Sequence, residues 1–308
     1  MPQLRRQFLR NSLALTLAAG FTPIASTAAG AAPAPTRRRA LKKGYMLNTF
    51  PGSANTPLLK QFEMLKAVGF DGVEPRSHLN QEEVLRARDA TGLEIPSVTC
   101  GQHSRLLAQP DPGTQQAGVA GIQQALRDAK RYGATSILVV PGLVTEAITY
   151  RENWDRTVAG VRACLPLATE LGVTMAIENV WNNFLLSPME AVRYVDEFKS
   201  PAVGFHLDIG NLMYVGWPEQ WIRLLGSRIA KVHVKEFSRK KMEEEGKRKG
   251  FDVEYLEGDN NWPVIMKALD DIGYHGWAIV EPAYRPKGAE PAARLKTIAE
   301  KLDRIIAI

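Results

Sequence analysis

Residues 172–211 read GVTMAIENVWNNFLLSPMEAVRYVDEFKSPAVGFHLDIGN, and this stretch decides the fold. Its first part, 174–180, is an apolar run of strand length. The amphipathic segment 188–198 has helical periodicity, and 203–208 is a second buried-type strand. Outward from it the same unit repeats in both directions. Strands are expected at 44–49, 72–76, 94–100, 136–141, 174–180, 203–208, 230–235 and 277–282. Helical patterns lie between them, including 57–68, 117–132, 153–171, 188–198, 218–225 and 261–272. Gly69, Gly133, Gly172 and Gly273 each stand just past the last periodic residue, where helices stop. Parallel strands need helical crossovers, and eight such units in about 270 residues match a single (β/α)8 TIM barrel. A doubly wound open sheet would carry a glycine-rich phosphate turn after its first strand. The turn here is Asn48-Thr49-Phe50-Pro51-Gly52.

The N-terminus has a different character. Arg5-Arg6-Gln7-Phe8-Leu9-Arg10 precedes an apolar run from Leu13 to Ile24 and the small residues Ala29-Gly30-Ala31. This is the pattern of a cleavable export signal. The arginine pair followed by Phe8-Leu9 resembles the twin-arginine type, although Leu4 stands where that signal usually has a polar residue. The expected organisation is a signal at 1–31, a linker at 32–43 and a catalytic barrel at 44–308. Export to the periplasm or beyond follows, with no stable membrane association after cleavage, because the apolar run is shorter than the roughly 20 residues that span a bilayer. The net charge of +6 falls to +3 once Arg5, Arg6 and Arg10 are removed. That is too little to suggest a nucleic-acid partner. The cluster Arg37, Arg38, Arg39, Lys42 and Lys43 reads as a solvated juncture, and Cys100 and Cys164 as two free thiols.

Barrel enzymes place their chemistry at the C-terminal ends of strands. The acids and histidines that interrupt the apolar runs there are Glu178, Asp208, His233 and Glu281, on four consecutive strands. Unpaired carboxylates in a partly buried mouth would take up protons unless a countercharge is present. One divalent cation supplies it. Three oxygen ligands and one nitrogen suit Mn²⁺ first, with Mg²⁺, Co²⁺ or Zn²⁺ also compatible. The competing explanation is a ring of ion pairs using Arg76, Lys235 and Arg285.

From Ala176 onward the motifs Ile177-Glu178-Asn179, Asp208-Ile209-Gly210-Asn211, Trp217-Pro218-Glu219, His233-Val234-Lys235-Glu236 and Gly273-Tyr274-His275-Gly276-Trp277 resemble the xylose-isomerase-like sugar isomerase/epimerase superfamily. Within it they are most similar to the L-ribulose-5-phosphate 3-epimerase and hexulose-6-phosphate isomerase branch. The resemblance implies a carbohydrate substrate, with Glu178, Asp208, His233 and Glu281 as metal ligands. It further implies that Glu178 and Glu281 exchange a proton on opposite faces of a ketose carbon, through an enediolate that the metal stabilises. Glu74, His103, Trp181, His206, Asn211 and Lys235 are the further candidates for touching substrate. His206 could equally be a hydrogen-bonded barrel histidine, and Trp217 could stack on a sugar or pack in a loop. His78 and His275 read as surface residues.

Three activities stand against one another. The first is a metal-dependent sugar isomerase or epimerase, with 3-epimerisation foremost. The second is a metal-dependent lyase on 3-keto-glycosides, which would use the same acidified C–H and then expel the aglycone; export favours it over a phosphorylated substrate. The third, an endonuclease IV-like phosphodiesterase, needs a histidine where Asn211 stands. The charged segment 239–249 reads as a mobile, solvated loop, with a lid that meets a phosphate as its alternative. Assembly into a homo-oligomer is left open by the sequence.

Overall fold

Strands that are apolar on both faces must be covered by helices outside and by one another inside. In the computed structural model, which describes residues 41–286 and 288–308, they close into a barrel. The strands are β1 (Lys42–Met46), β2 (Gly72–Glu74), β3 (Ser97–Thr99), β4 (Ser136–Val139), β5 (Thr174–Glu178), β6 (Val203–Asp208), β7 (Ile229–Val234) and β8 (Trp277–Val280). All ladders are parallel, in the order β2-β1-β8-β7-β6-β5-β4-β3. The seam between β2 and β3 is joined by isolated bridges at Gly72–Glu94 and Arg76–Thr99. Thr99 N donates to Pro75 O and Ser77 N to Thr99 O, both at 2.9 Å. Pro75 and Pro96 have no N–H to offer a ladder, which is why these two strands are shorter than the expected 72–76 and 94–100.

The crossovers are α1 (Leu58–Ala67), α2 (Gln81–Thr91), α3 (Pro112–Tyr132), α4 (Tyr150–Leu171), α5 (Pro188–Asp196), α6 (Pro218–Leu225), α7 (Trp262–Asp271) and α8 (Pro291–Ala307). Capping boxes start two of them, Thr149 with Glu152 at α4 and Ser187 with Glu190 at α5. The four expected stop glycines all take positive φ, between 65° at Gly172 and 86° at Gly69. Burial then orients each helix. In α6 it is Trp221, Ile222 and Leu225 that face the sheet, and burying each such side chain contributes roughly 1.5–3 kcal/mol.

Three expectations are corrected. Strand β1 starts at Lys42, so Lys42 and Lys43 belong to the barrel rather than to a linker; they pair with Glu94 and Asp303. Residues 47–49, read as the end of that strand, form a 3-10 turn. The segment read as a mobile loop is a helix, Arg239–Glu245, followed by a 3-10 turn, Lys247–Phe251. Arg239 anchors it by donating to the carbonyls of Met213 and Gly216. The expected export signal and nearly all of the expected linker lie outside the described residues. Among the described residues no helix is long and apolar enough to cross a membrane.

Candidate metal centre

The ends of β5 and β6 are spliced by Asn179. Its amide donates to Asp208 O at 2.8 Å and accepts from Asp208 N at 2.9 Å. Asn211 completes the joint by donating to Asn179 O at 3.0 Å, while its own N–H caps the Asp208 carboxylate at 2.7 Å. On the other side, Glu281 N donates to Val234 O at 3.1 Å, carrying the β7–β8 ladder one residue further. These side-chain and backbone links, with the β6–β7 ladder between them, bring the four expected residues together. Glu178, Asp208, His233 and Glu281 each offer a ligand atom, and these atoms all lie within 4.8 Å of one another.

His233 is fully buried at the centre. Its Nδ1 is 3.3 Å from Glu178 and 3.2 Å from Glu281, close enough for attraction between charges, yet it makes no hydrogen bond. Lys235 Nζ lies 2.7 Å from Glu281, 3.4 Å from Asp208 and 3.3 Å from the Asn211 side chain. One lysine cannot neutralise three carboxylates. Burial first, and then the neighbouring acids, pushes Asp208 well above the usual carboxylate range and raises Glu178. For Glu281 burial acts the same way, but Lys235 and His233 outweigh it and hold the carboxyl well below that range. Burial opposes a charge on His233 too, yet Glu74 and the other carboxylates keep the ring well above its ordinary value. An unpartnered ring nitrogen, three clustered carboxylates and an excess of negative charge fit a divalent cation.

Above the cluster opens a cavity of about 890 Å³ at the C-terminal mouth of the barrel. Glu178 and Glu281 line it; Asp208 and His233 do not, and both are fully buried. Of the other candidates, His103, Trp181, Asn211 and Lys235 reach the wall. Trp181 is fixed by its Nε1 donating to Asn211 O at 3.0 Å. Glu74 and His206 do not reach it. Both have no exposed surface, Glu74 Oε2 lies 2.7 Å from His233 Nε2, and the His206 ring packs edge-on against His233 at 4.1 Å. Trp217 is 55% exposed beneath the Arg239 guanidinium rather than on the cavity wall. His78, read as a surface residue, is exposed but stacks on His103 with centroids 3.8 Å apart. The charged segment also contributes: Arg248 and Phe251 line the mouth, and Lys247 sits over the rings of Tyr214 and Trp181. Cys100 and Cys164 are free and buried, and burial pushes both thiols up to about 12, so neither is a nucleophile at neutral pH.

Lys235 owes its position to a glycine. A Cβ on Gly210 would come within 2.8 Å of the Lys235 side chain and 2.9 Å of its carbonyl oxygen. Gly210→Ala is therefore expected to cost about 1–3 kcal/mol by overpacking. Urea denaturation measures it, and an unchanged midpoint would contradict the tight approach.

The chain belongs to the family described as the xylose isomerase-like TIM barrel, whose model matches residues 62–305. This is the superfamily that the strand-end motifs resemble. An L-ribulose-5-phosphate 3-epimerase of Escherichia coli is 25% identical over 252 residues, covering 77% of this chain and 86% of that protein. An inosose dehydratase of Clostridium perfringens is 28% identical over 152 residues, 46% of this chain; the match spans half the length of that relative. Among solved structures, the 3-keto-D-glucoside 4-epimerase of Escherichia coli superposes with a TM-score of 0.70 at 18% identity, over 86% of this chain and 98% of that one. That likeness speaks for the fold.

Proposed function

We propose that the protein is a divalent-metal-dependent sugar epimerase that moves a proton on a ketose, with inversion at C3 as its reaction. The observation that carries this reading is the division within the cluster: of the four ligand-type residues, only Glu178 and Glu281 face the cavity. Glu178, Asp208, His233 and Glu281 would hold the cation, with Mn²⁺ the best match to the donors. When bound, it supplies Lewis-acid stabilisation of negative charge developing on a substrate oxygen. The protein's own residues do the rest. Lys235 keeps Glu281 ionised, which suits it to take the proton. Glu178, the second carboxyl group that lines the cavity, is assigned the return of the proton. The 3-epimerase among the relatives supports this assignment.

A second reading, elimination from a 3-keto-glycoside, shares the first proton transfer and then expels a group from the neighbouring carbon. It is favoured by the dehydratase relative and by a cavity near the upper end of the roughly 300–1,000 Å³ of small-molecule sites. Incubating Mn²⁺-loaded protein in D₂O with free ketoses, ketose phosphates and 3-keto-glycosides separates the two. Deuterium uptake with inversion supports the epimerase; release of an aglycone overturns it in favour of elimination. An extracytoplasmic location is part of the proposal and rests on Arg5-Arg6 and the apolar run behind them. Replacing both arginines by lysine should leave the protein in the cytoplasmic fraction with its leader uncut. Unchanged export of that variant would rule out a twin-arginine route.

A further inference from the structure

We propose that Glu74 is a positioning residue for the cation site, acting through His233 and resting on the metal-dependent reading given above. Glu74 ends β2, on the far side of the barrel from β7, and its carboxylate has no exposed surface. Its Oε2 is 2.7 Å from His233 Nε2, while Oε1 has no hydrogen-bond partner. His233 thus engages the Glu74 carboxylate in its only side-chain hydrogen bond among the described residues. A buried carboxylate with so little compensation is a poor structural element, since an apolar side chain of similar volume would serve packing at least as well. Its place is explained by what it does to the imidazole.

A histidine ring can present either nitrogen to a ligand, and the hydrogen bond at one nitrogen decides which lone pair is free at the other. With Nε2–H donated to Glu74, the lone pair is on Nδ1, the atom facing Glu178 and Glu281. The carboxylate also makes the ring a stronger donor than a backbone carbonyl in the same place would. His206 braces the ring from its edge, with an interplanar angle of 66°. Glu74 is not one of the four donors gathered with Glu178, Asp208 and Glu281; it meets the ring at the edge opposite Nδ1, and with His206 and His233 it makes a second buried group of ligand-type residues.

The test is calorimetric titration of the purified, metal-stripped protein with MnCl₂, comparing wild type, Glu74→Gln, His233→Gln and the double variant. Glu74→Gln should weaken Mn²⁺ binding about 10- to 100-fold. On the His233→Gln background the same change should have little further effect, because the route to the cation has been removed. Wild-type affinity in Glu74→Gln, or an equal loss with and without His233, overturns the proposal while leaving the metal site standing. A wild type that binds no Mn²⁺ overturns the metal reading itself. Should Glu74→Gln not fold, Glu74→Asp keeps the charge and draws it back by one methylene, and it should give an intermediate loss on the wild-type background only. Proton NMR of the Mg²⁺-loaded protein adds a second readout: a downfield, exchange-protected imidazole N–H present in wild type and lost in Glu74→Ala. Its persistence in Glu74→Ala would show that another group holds the ring.

Discussion

Glu281→Gln and Glu178→Gln are each expected to lower turnover by about 10² to 10⁴, the range for a positioned acid or base, which corresponds to about 3–5 kcal/mol of transition-state stabilisation. Both side chains line the cavity, and glutamine keeps their shape while removing the exchangeable proton. The two changes should differ in what survives. With Glu281 still ionised beside Lys235, Glu178→Gln should exchange the substrate C–H with D₂O while failing to invert the centre. Glu281→Gln removes the group held in the ionised form and should stop exchange in the forward direction. The double variant should lose little more than the worse single one, because the two glutamates act in one sequence of proton transfers. Since both are candidate ligands, Mn²⁺ affinity has to be measured in each variant, and rates compared at saturating metal. Turnover within tenfold of wild type in either one would end the two-base mechanism.

The barrel was legible because its signals are local. Strand and helix periods differ, and the stop glycines at Gly133 and Gly172 mark boundaries within a few residues. Glu178, Asp208, His233 and Glu281 stood out because an ionisable side chain at the end of an apolar strand has few inexpensive explanations. Glu74 carries the same signal, and alternation along β2 correctly turns it inward. Its partner, however, lies 159 residues away across the barrel, and no spacing in the chain encodes that distance. His206 shares the inward side of β6 with Asp208, but it sits one layer below the mouth, and depth is not written in a period of two. The segment from Arg239 to Phe251 misled for a different reason. Its charges are those of a solvated loop, while the groups that order it are scattered elsewhere: the carbonyls of Met213 and Gly216, and the rings of Tyr214 and Trp181.

Mn²⁺ should stabilise the chelator-stripped protein strongly, and more at pH 7.5 than at pH 5.5. A ligand that binds only the folded state adds about 4 kcal/mol at a thousandfold excess over its Kd, which for a domain of this size raises the melting temperature by roughly 10 °C. The pH dependence follows from the carboxylates. Asp208 and Glu178 have folded-state values raised by burial first and then by the Glu281 carboxylate, above the roughly 4 of an unfolded chain. Between those values the folded protein binds more protons than the unfolded one, so the stripped form loses stability as pH rises through the window. His233 acts in the same sense, because its folded value is also raised and its contribution fades as pH climbs through it. Glu281 is depressed; its contribution is present above the usual carboxylate value and is lost only in more acidic solution than either test condition. Glu236, pushed up to about 7 by burial, adds the same downward slope to both forms and cancels in the difference. Cation binding requires the ligands deprotonated and releases their protons, so the increment from Mn²⁺ must grow as those protons become easier to lose. Thermal melts with Mn²⁺ and with chelator at the two pH values measure it. A gain that is equal at both, or larger at pH 5.5, would mean that the cation does not sit among Asp208, Glu178 and His233.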